Sequence, residues 1–200
     1  MYPPPHHQSH DIEKMISVIK NFPLGMMVTA KDGKPFITHI PFIYNETSKK
    51  LVAHLDKKNP QLKTLTENTE VTVVFKGPDT YISPSIYTTS QLPTWNYIIV
   101  HIIGKLSLVN EAEAIKQTMV AMTEFLEGDD QKFSLKKDDY RMERLIEYIQ
   151  AFEIEITEWE GKFKLSQDKI PQDYENAKQE LIEKSQKDIS VFIDEIYKLT

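Results

Sequence analysis

Two hundred residues, 40% of them hydrophobic, can bury a sizeable core, and the length suits one domain with additions or two small ones. The chain carries 24 basic and 30 acidic side chains, and its formal charge of -6 excludes a broad electrostatic footprint for nucleic acid. With no cysteine, disulfides, thiolate metal sites and thiol nucleophiles are excluded too. No apolar run approaches the roughly 20 residues of a membrane span. The opening residues, Met1 to Asp11, have neither a basic nor an apolar leader segment. The expectation is a cytoplasmic protein that does not enter a membrane.

Taken in order, Met1 to His10 is rich in proline and histidine and reads as extended, because each proline pushes its predecessor out of the α region. Ser9 or Asp11 can cap a first helix, in which Ile12, Met15, Ile16 and Ile19 share a face. Met26 to Ala30 reads as a buried strand. The run Lys31-Asp32-Gly33-Lys34 is then a hairpin turn, since Asp-Gly supplies the positive φ that such turns need. Strands are expected at Pro35 to Tyr44 and Leu51 to Leu55, with a short helix after Asn59-Pro60. Val71 to Phe75 is an apolar β-branched run.

Gly77 to Lys105 alternates large rings (Tyr81, Tyr87, Trp95, Tyr97) with short polar side chains (Ser83, Ser85, Thr94, Asn96), and includes His101. Such a mixture suits a pocket for a flat ligand, but the commoner outcome is a β-hairpin with an aromatic core and polar residues facing water. Pro84 and Pro93 bracket its loop, and Thr94 to Val109 is a long strand. Asn110-Glu111-Ala112-Glu113 resembles a capping box opening a helix to about Leu126, ended by Gly128. A further helix is expected over about 138–149. Phe152, Ile154 and Ile156 then alternate with polar residues as a half-buried strand. The tail, Asp173 to Thr200, is polar and helical in pattern, with Leu181, Ile189, Phe192, Ile193 and Ile196 as its apolar positions. Helices this charged need a partner surface.

The six histidines show no compact metal-ligand spacing, and Gly-x-Ser-x-Gly, P-loop and GxGxxG patterns are all missing. Two basic clusters sit beside turn chemistry: Lys57-Lys58-Asn59, and Gly161-Lys162-Phe163-Lys164-Leu165-Ser166-Gln167. Lysines near a helix start can hold a phosphate together with backbone N–H groups, although solvated turn lysines are commoner. A phosphorylated flat cofactor would satisfy both the basic and the aromatic sets.

Several blocks, taken together, carry a family resemblance. They are Met1-Tyr2 with Pro5-His6, His39-Ile40-Pro41-Phe42, His54-Leu55 with Asn59-Pro60-Gln61, Gly77-Pro78, Tyr81-Ile82-Ser83-Pro84-Ser85, Pro93-Thr94-Trp95-Asn96-Tyr97, Val100-His101 and the Gly161 to Gln167 run. In this set the chain resembles the PaiB family of FMN-binding negative transcriptional regulators. The resemblance implies an α+β fold, an antiparallel, Greek-key-like FMN-binding split β-barrel with peripheral helices. It also implies a homodimer with FMN at the subunit interface and a bacterial role in repressing sporulation and degradative-enzyme genes. Domain limits of 1–170 for the barrel and 171–200 for a helical extension follow.

By the same resemblance, Lys57 and Asn59 would face the flavin phosphate and ribityl chain, and His54 and Leu55 would supply strand edge. Trp95, Asn96 and Tyr97 would contact the ring region, and Lys162, Lys164, Ser166 and Gln167 would close the site. Three functional readings follow: a flavin-binding regulator acting on DNA or through a protein partner, an FMN-dependent oxidoreductase of the pyridoxamine-phosphate-oxidase-like superfamily, and a flavin-free dimeric interaction module. The expectation leans to the regulator, with no catalytic residue and no metal ligand assigned.

Overall fold

The computed structural model describes residues 4–186 and 190–197. Strands dominate, because the apolar runs of this chain are short and β-branched or alternate at period two. The elements are β1 (Gln8–Ser9), α1 (Ile12–Asn21), β2 (Leu24–Lys31), β3 (Lys34–Pro41), β4 (Ile43–Asn45) and β5 (Lys50–Asp56). They continue with β6 (Glu70–Ile82), β7 (Thr94–Val109), α2 (Ala112–Glu127), α3 (Tyr140–Leu145), β8 (Ile149–Lys164), α4 (Pro171–Ser185) and α5 (Ser190–Tyr197). Short 3₁₀ turns occupy Pro60–Thr64 and Pro84–Ile86. The described strands form one open sheet in the order β3-β2-β6-β7-β8-β5-β4, with β1 beside β8. The β2–β3, β2–β6, β4–β5 and β5–β8 pairs are antiparallel, as a split barrel requires.

The chain folds as two compact units, neither contiguous in sequence. One takes Ser9–Lys76 and Ile99–Gly161; the other takes residues 4–8, Gly77–Ile98 and the described residues from Lys162 onward.

In the first unit, Asp11 caps α1 by accepting from the Lys14 amide, and Met15, Ile16, Val18 and Ile19 are buried. The β2–β3 hairpin turns through Asp32 and Gly33, at φ 53° and 73°, with Lys31 opposite Lys34. The strand expected through Tyr44 breaks at Phe42, whose amide donates to the Pro23 carbonyl at 2.9 Å instead of joining a ladder. That break sends the Phe42 ring into the core, edge-on to Phe75 and Phe152 at 5.8 and 6.3 Å. Trp159 of β8 packs edge-on to Tyr44 of β4 at 5.9 Å.

The capping box expected at α2 does not form: Glu111 makes no side-chain cap bond, and the Asn110 side chain accepts from Gln150 instead. Gly128, at φ 59°, ends α2 as expected. The helix expected over 138–149 contracts to α3, because Ile149 already pairs with Asp56 as the start of β8.

The second unit is built around α4, whose fully buried Asp173 accepts hydrogen bonds from the amides and hydroxyls of both Thr88 and Thr89. Asn176 adds a bond to the Ile86 carbonyl at 2.8 Å. The partner surface that the polar tail needs thus includes the loop between Pro84 and Pro93. Among the apolar tail positions, Leu181 is buried, Ile193 and Ile196 are exposed, and Ile189 lies outside the described residues, as do Met1 and Tyr2.

Candidate functional site

Asn96 stands third in β7 and is 1% exposed, so its amide must find partners inside the protein. It donates to Ser166 Oγ at 3.0 Å, and Tyr87 Oη lies 2.9 Å from the same oxygen. Ser166 is itself buried and holds φ 61°, a left-handed conformation that a non-glycine residue keeps only where its surroundings impose it. Beside this network Lys164 Nζ donates to Thr94 Oγ1 at 2.5 Å. Thr94, Asn96, Lys164 and Ser166 share a cavity of about 310 Å³ with His6, His7, Gln91, Leu92, Pro93, Asp168 and Lys169. All belong to the second unit.

The electrostatics of this cavity are mixed but lean positive. The Lys169 ammonium, 2.7 Å from Asp168, holds that carboxyl below its ordinary range. Burial lowers the His7 pKa, and His6 and Lys164 add to that effect. The two imidazole rings lie 4.1 Å apart. Gln167 braces the wall from outside, donating to the His6 carbonyl at 2.8 Å and accepting from the Leu165 amide at 2.7 Å.

Strand alternation separates residues that adjoin in sequence. Trp95 and Tyr97 point to the other side of β7 from Asn96 and are not part of the cavity. Trp95, half exposed, donates its indole N–H to Asp79 at 2.9 Å and meets the Tyr81 ring at 6.3 Å. Lys162 Nζ stands 5.3 Å from the Tyr97 ring centre.

The first unit holds the other predicted residues. His54 and Leu55 lie on β5 opposite Ala151 and Gln150, and Leu55 is core. Burial lowers the His54 pKa, and its Nδ1 is buried with no hydrogen-bond partner among the described residues. Lys57 is engaged by the chain itself: its amide donates to the Tyr148 carbonyl at 2.8 Å and its ammonium to the Ile146 carbonyl at 3.4 Å. Asn59 caps the following 3₁₀ turn through the Gln61 amide and donates to Thr38 Oγ1 at 3.1 Å. His101 pairs with Glu160 at 3.3 Å within the same unit.

Sequence reasoning thus named Asn96, Lys164 and Ser166 of the cavity but missed His7, Asp168 and Lys169. His6 stood in a resemblance block without an assigned role. No local pattern announces that residues near 6 and 168 fold together.

The cavity chemistry fits a phosphorylated flavin: two lysines and several neutral donors suit the anionic tail, and Leu92 and Pro93 offer apolar contact. Its volume stands at the low end of the roughly 300–1,000 Å³ of ligand pockets. A model of the family described as "Putative FMN-binding domain" matches residues 1–158.

The chain belongs to this family.

The PaiB resemblance read from the sequence agrees with it. "Protease synthase and sporulation protein PAI 2" of Bacillus subtilis (strain 168) is 29% identical over 184 residues, covering 90% of this chain and 89% of that protein. Among solved structures, the FAD and heme binding protein from Mycobacterium smegmatis superposes with TM-score 0.63 at 19% identity, over 79% of this chain and 73% of that one. The flavocytochrome Anf3 from Azotobacter vinelandii gives TM-score 0.60 at 17% identity, over 81% and 72%. Likenesses at this identity establish the split-barrel fold of the FMN-binding-domain family member described here. No described helix is long and apolar enough to cross a membrane.

Proposed function

We propose that this chain is a flavin-binding regulator of the PaiB kind, a homodimer holding FMN at its subunit interface and exerting negative control over protease-synthesis and sporulation genes. The observation that carries the reading is the match to the FMN-binding-domain family over residues 1–158, joined to the 29% identity with the Bacillus protein named for those two processes. The cavity of the second unit supports it. Asn96, Ser166 and Lys164 are the cofactor contacts favoured by geometry, being buried or half-buried and directed into one polar space. The Lys57–Asn59 turn is the weaker contributor, since it lines no part of that cavity. A flavin supplies reversible redox chemistry, and the protein binds it, orients it and excludes water.

An acidic chain has little general affinity for a polyanion, so repression runs through a local patch or through a protein partner. A second reading, an FMN-dependent oxidoreductase, is favoured by one observation: Asp168 and a buried His7 stand in the same cavity as Lys164, groups able to hold or move a proton. The deciding experiment is a visible spectrum of the purified protein, with release of a fluorescent flavin on denaturation. Colourless protein that takes up no added FMN ends both readings. A DNA mobility shift at stated salt, beside an NAD(P)H oxidation assay, separates them: a shift without turnover supports the regulator, and turnover without a shift supports the enzyme.

A further inference from the structure

We propose that the cavity of the second unit is the seat of a phosphate monoester, whose anion is held by the ammonium of Lys164 with the hydroxyl of Thr94. This rests on the flavin reading and moves the phosphate from the Lys57 turn, where the family resemblance placed it, to the start of β7 and the end of β8.

Lys164 carries the argument. Its ammonium is half-buried, yet its hydrogen bond goes to a neutral threonine hydroxyl, and no carboxylate lies within ion-pair distance of it among the described residues. A partly desolvated cation without a counter-charge is costly unless an anion comes to it. The one carboxylate in the wall, Asp168, is already neutralised by Lys169 at 2.7 Å, so the two lysines and one aspartate leave a surplus positive charge. A second observation points the same way. Ser166 is held left-handed and buried, its hydroxyl donating to Asn96 Oδ1 at 3.2 Å and accepting from Asn96 Nδ2 at 3.0 Å, which fixes the wall beside Lys164 and Thr94. Strained residues of this sort concentrate where a ligand is gripped. His7, 8% exposed and biased towards its neutral form by burial and by nearby cations, adds a neutral polar group rather than a competing charge.

At about 310 Å³ the cavity has room for more than an inorganic anion, so the ligand is an organic phosphate. Lys57 and Asn59 belong to the first unit and line no part of this cavity, and the Asn59 side chain uses both its carbonyl and its amide there. The phosphate has two possible sources, the tail of FMN itself or a separate phosphorylated metabolite.

The test titrates FMN, riboflavin and inorganic phosphate against the full chain and two variants, Lys164→Met and Lys57→Met. Flavin fluorescence reads the first two ligands and phosphorus NMR line width reads the third. With the FMN tail in the cavity, K164M weakens FMN about tenfold or more, the loss of one charge-assisted hydrogen bond, and leaves riboflavin within about twofold. Inorganic phosphate broadens with the wild type and not with K164M. If instead FMN and riboflavin bind K164M as they bind the wild type while phosphate binding is lost, the source is a separate metabolite. Equal weakening of FMN and riboflavin, or K57M separating them where K164M does not, overturns the assignment. Should the wild type take up no flavin, the flavin reading fails by itself. The phosphate titration then decides this inference, which falls if wild type and K164M give the same line width.

Discussion

Replacing Ser166 tests whether the polar network of the cavity is structural. Ser166→Ala removes the oxygen that meets both Tyr87 Oη and the Asn96 amide, at 2.9 and 3.0 Å. The lost Tyr87 bond costs about 0.5–1.5 kcal/mol, and leaving the buried Asn96 amide without that partner costs about 1–3 kcal/mol, so a total of about 1.5–4.5 kcal/mol is expected. For a chain of this length that is a fall in Tm of about 3–18 °C. Ser166→Gly loses the same bonds but accepts φ 61° freely. Alanine in the left-handed region costs about 1–2 kcal/mol, and glycine gives back about 0.5–1 kcal/mol in chain entropy, so the glycine variant should be the more stable by roughly 1 kcal/mol. Urea denaturation of the three proteins, with equal slopes, measures both differences. An alanine variant as stable as wild type would show that the network contributes nothing. Alanine matching or exceeding glycine would refute the argument from backbone strain.

Other expectations concern each unit separately. A Cβ at Gly104 would collide with the Glu155 carbonyl and stand 2.5 Å from Ile154 Cγ2, so Gly104→Ala should cost about 3 kcal/mol or more in urea denaturation. Burial holds the His54 pKa below its ordinary 6.5, so the native state binds fewer protons than the unfolded chain. The stability this contributes is complete above pH 6.5 and falls with acidification, and His54→Asn should flatten the slope of urea midpoint against pH between 7.5 and 5.5. Burial raises the pKa of Asp173, but the donors of Thr88 and Thr89 outweigh it and hold the carboxyl below its ordinary value. Asp173→Asn puts an N–H where two of those donors point, and hydrogen exchange at the Thr88 and Thr89 amides should accelerate while α1 amides keep their rates.

Where a structural cause is local, the sequence shows it. The Asp32-Gly33 turn is readable because few other residue pairs take positive φ twice, and α1 because a cap and a 3.6-residue period coincide. Strand lengths are less legible. β6 continues through Gly77-Pro78 to Ile82, past the end of its pairing with β2 over Thr72 to Val74. The opposite error affects α3, where helical periodicity over 138–149 loses to the pairing of Ile149 with Asp56. In the site, Asn96 and Ser166 are 70 residues apart, a distance that no spacing rule spans, so only a likeness to known proteins could join them. The Trp95-Asn96-Tyr97 run invites reading as one contact set, yet a pleated strand assigns its middle residue to the opposite face.

The chain has two tryptophans, and each compact unit holds one: Trp159 against Tyr44 in the first, Trp95 beside Tyr81 and Asp79 in the second. Nature has in effect installed a separate optical reporter in either half. Changing one indole at a time to phenylalanine leaves a single emitter whose wavelength follows its own surroundings during denaturation. Superimposable traces from the two variants mean that the halves melt as one cooperative body; displaced traces give the order in which they open.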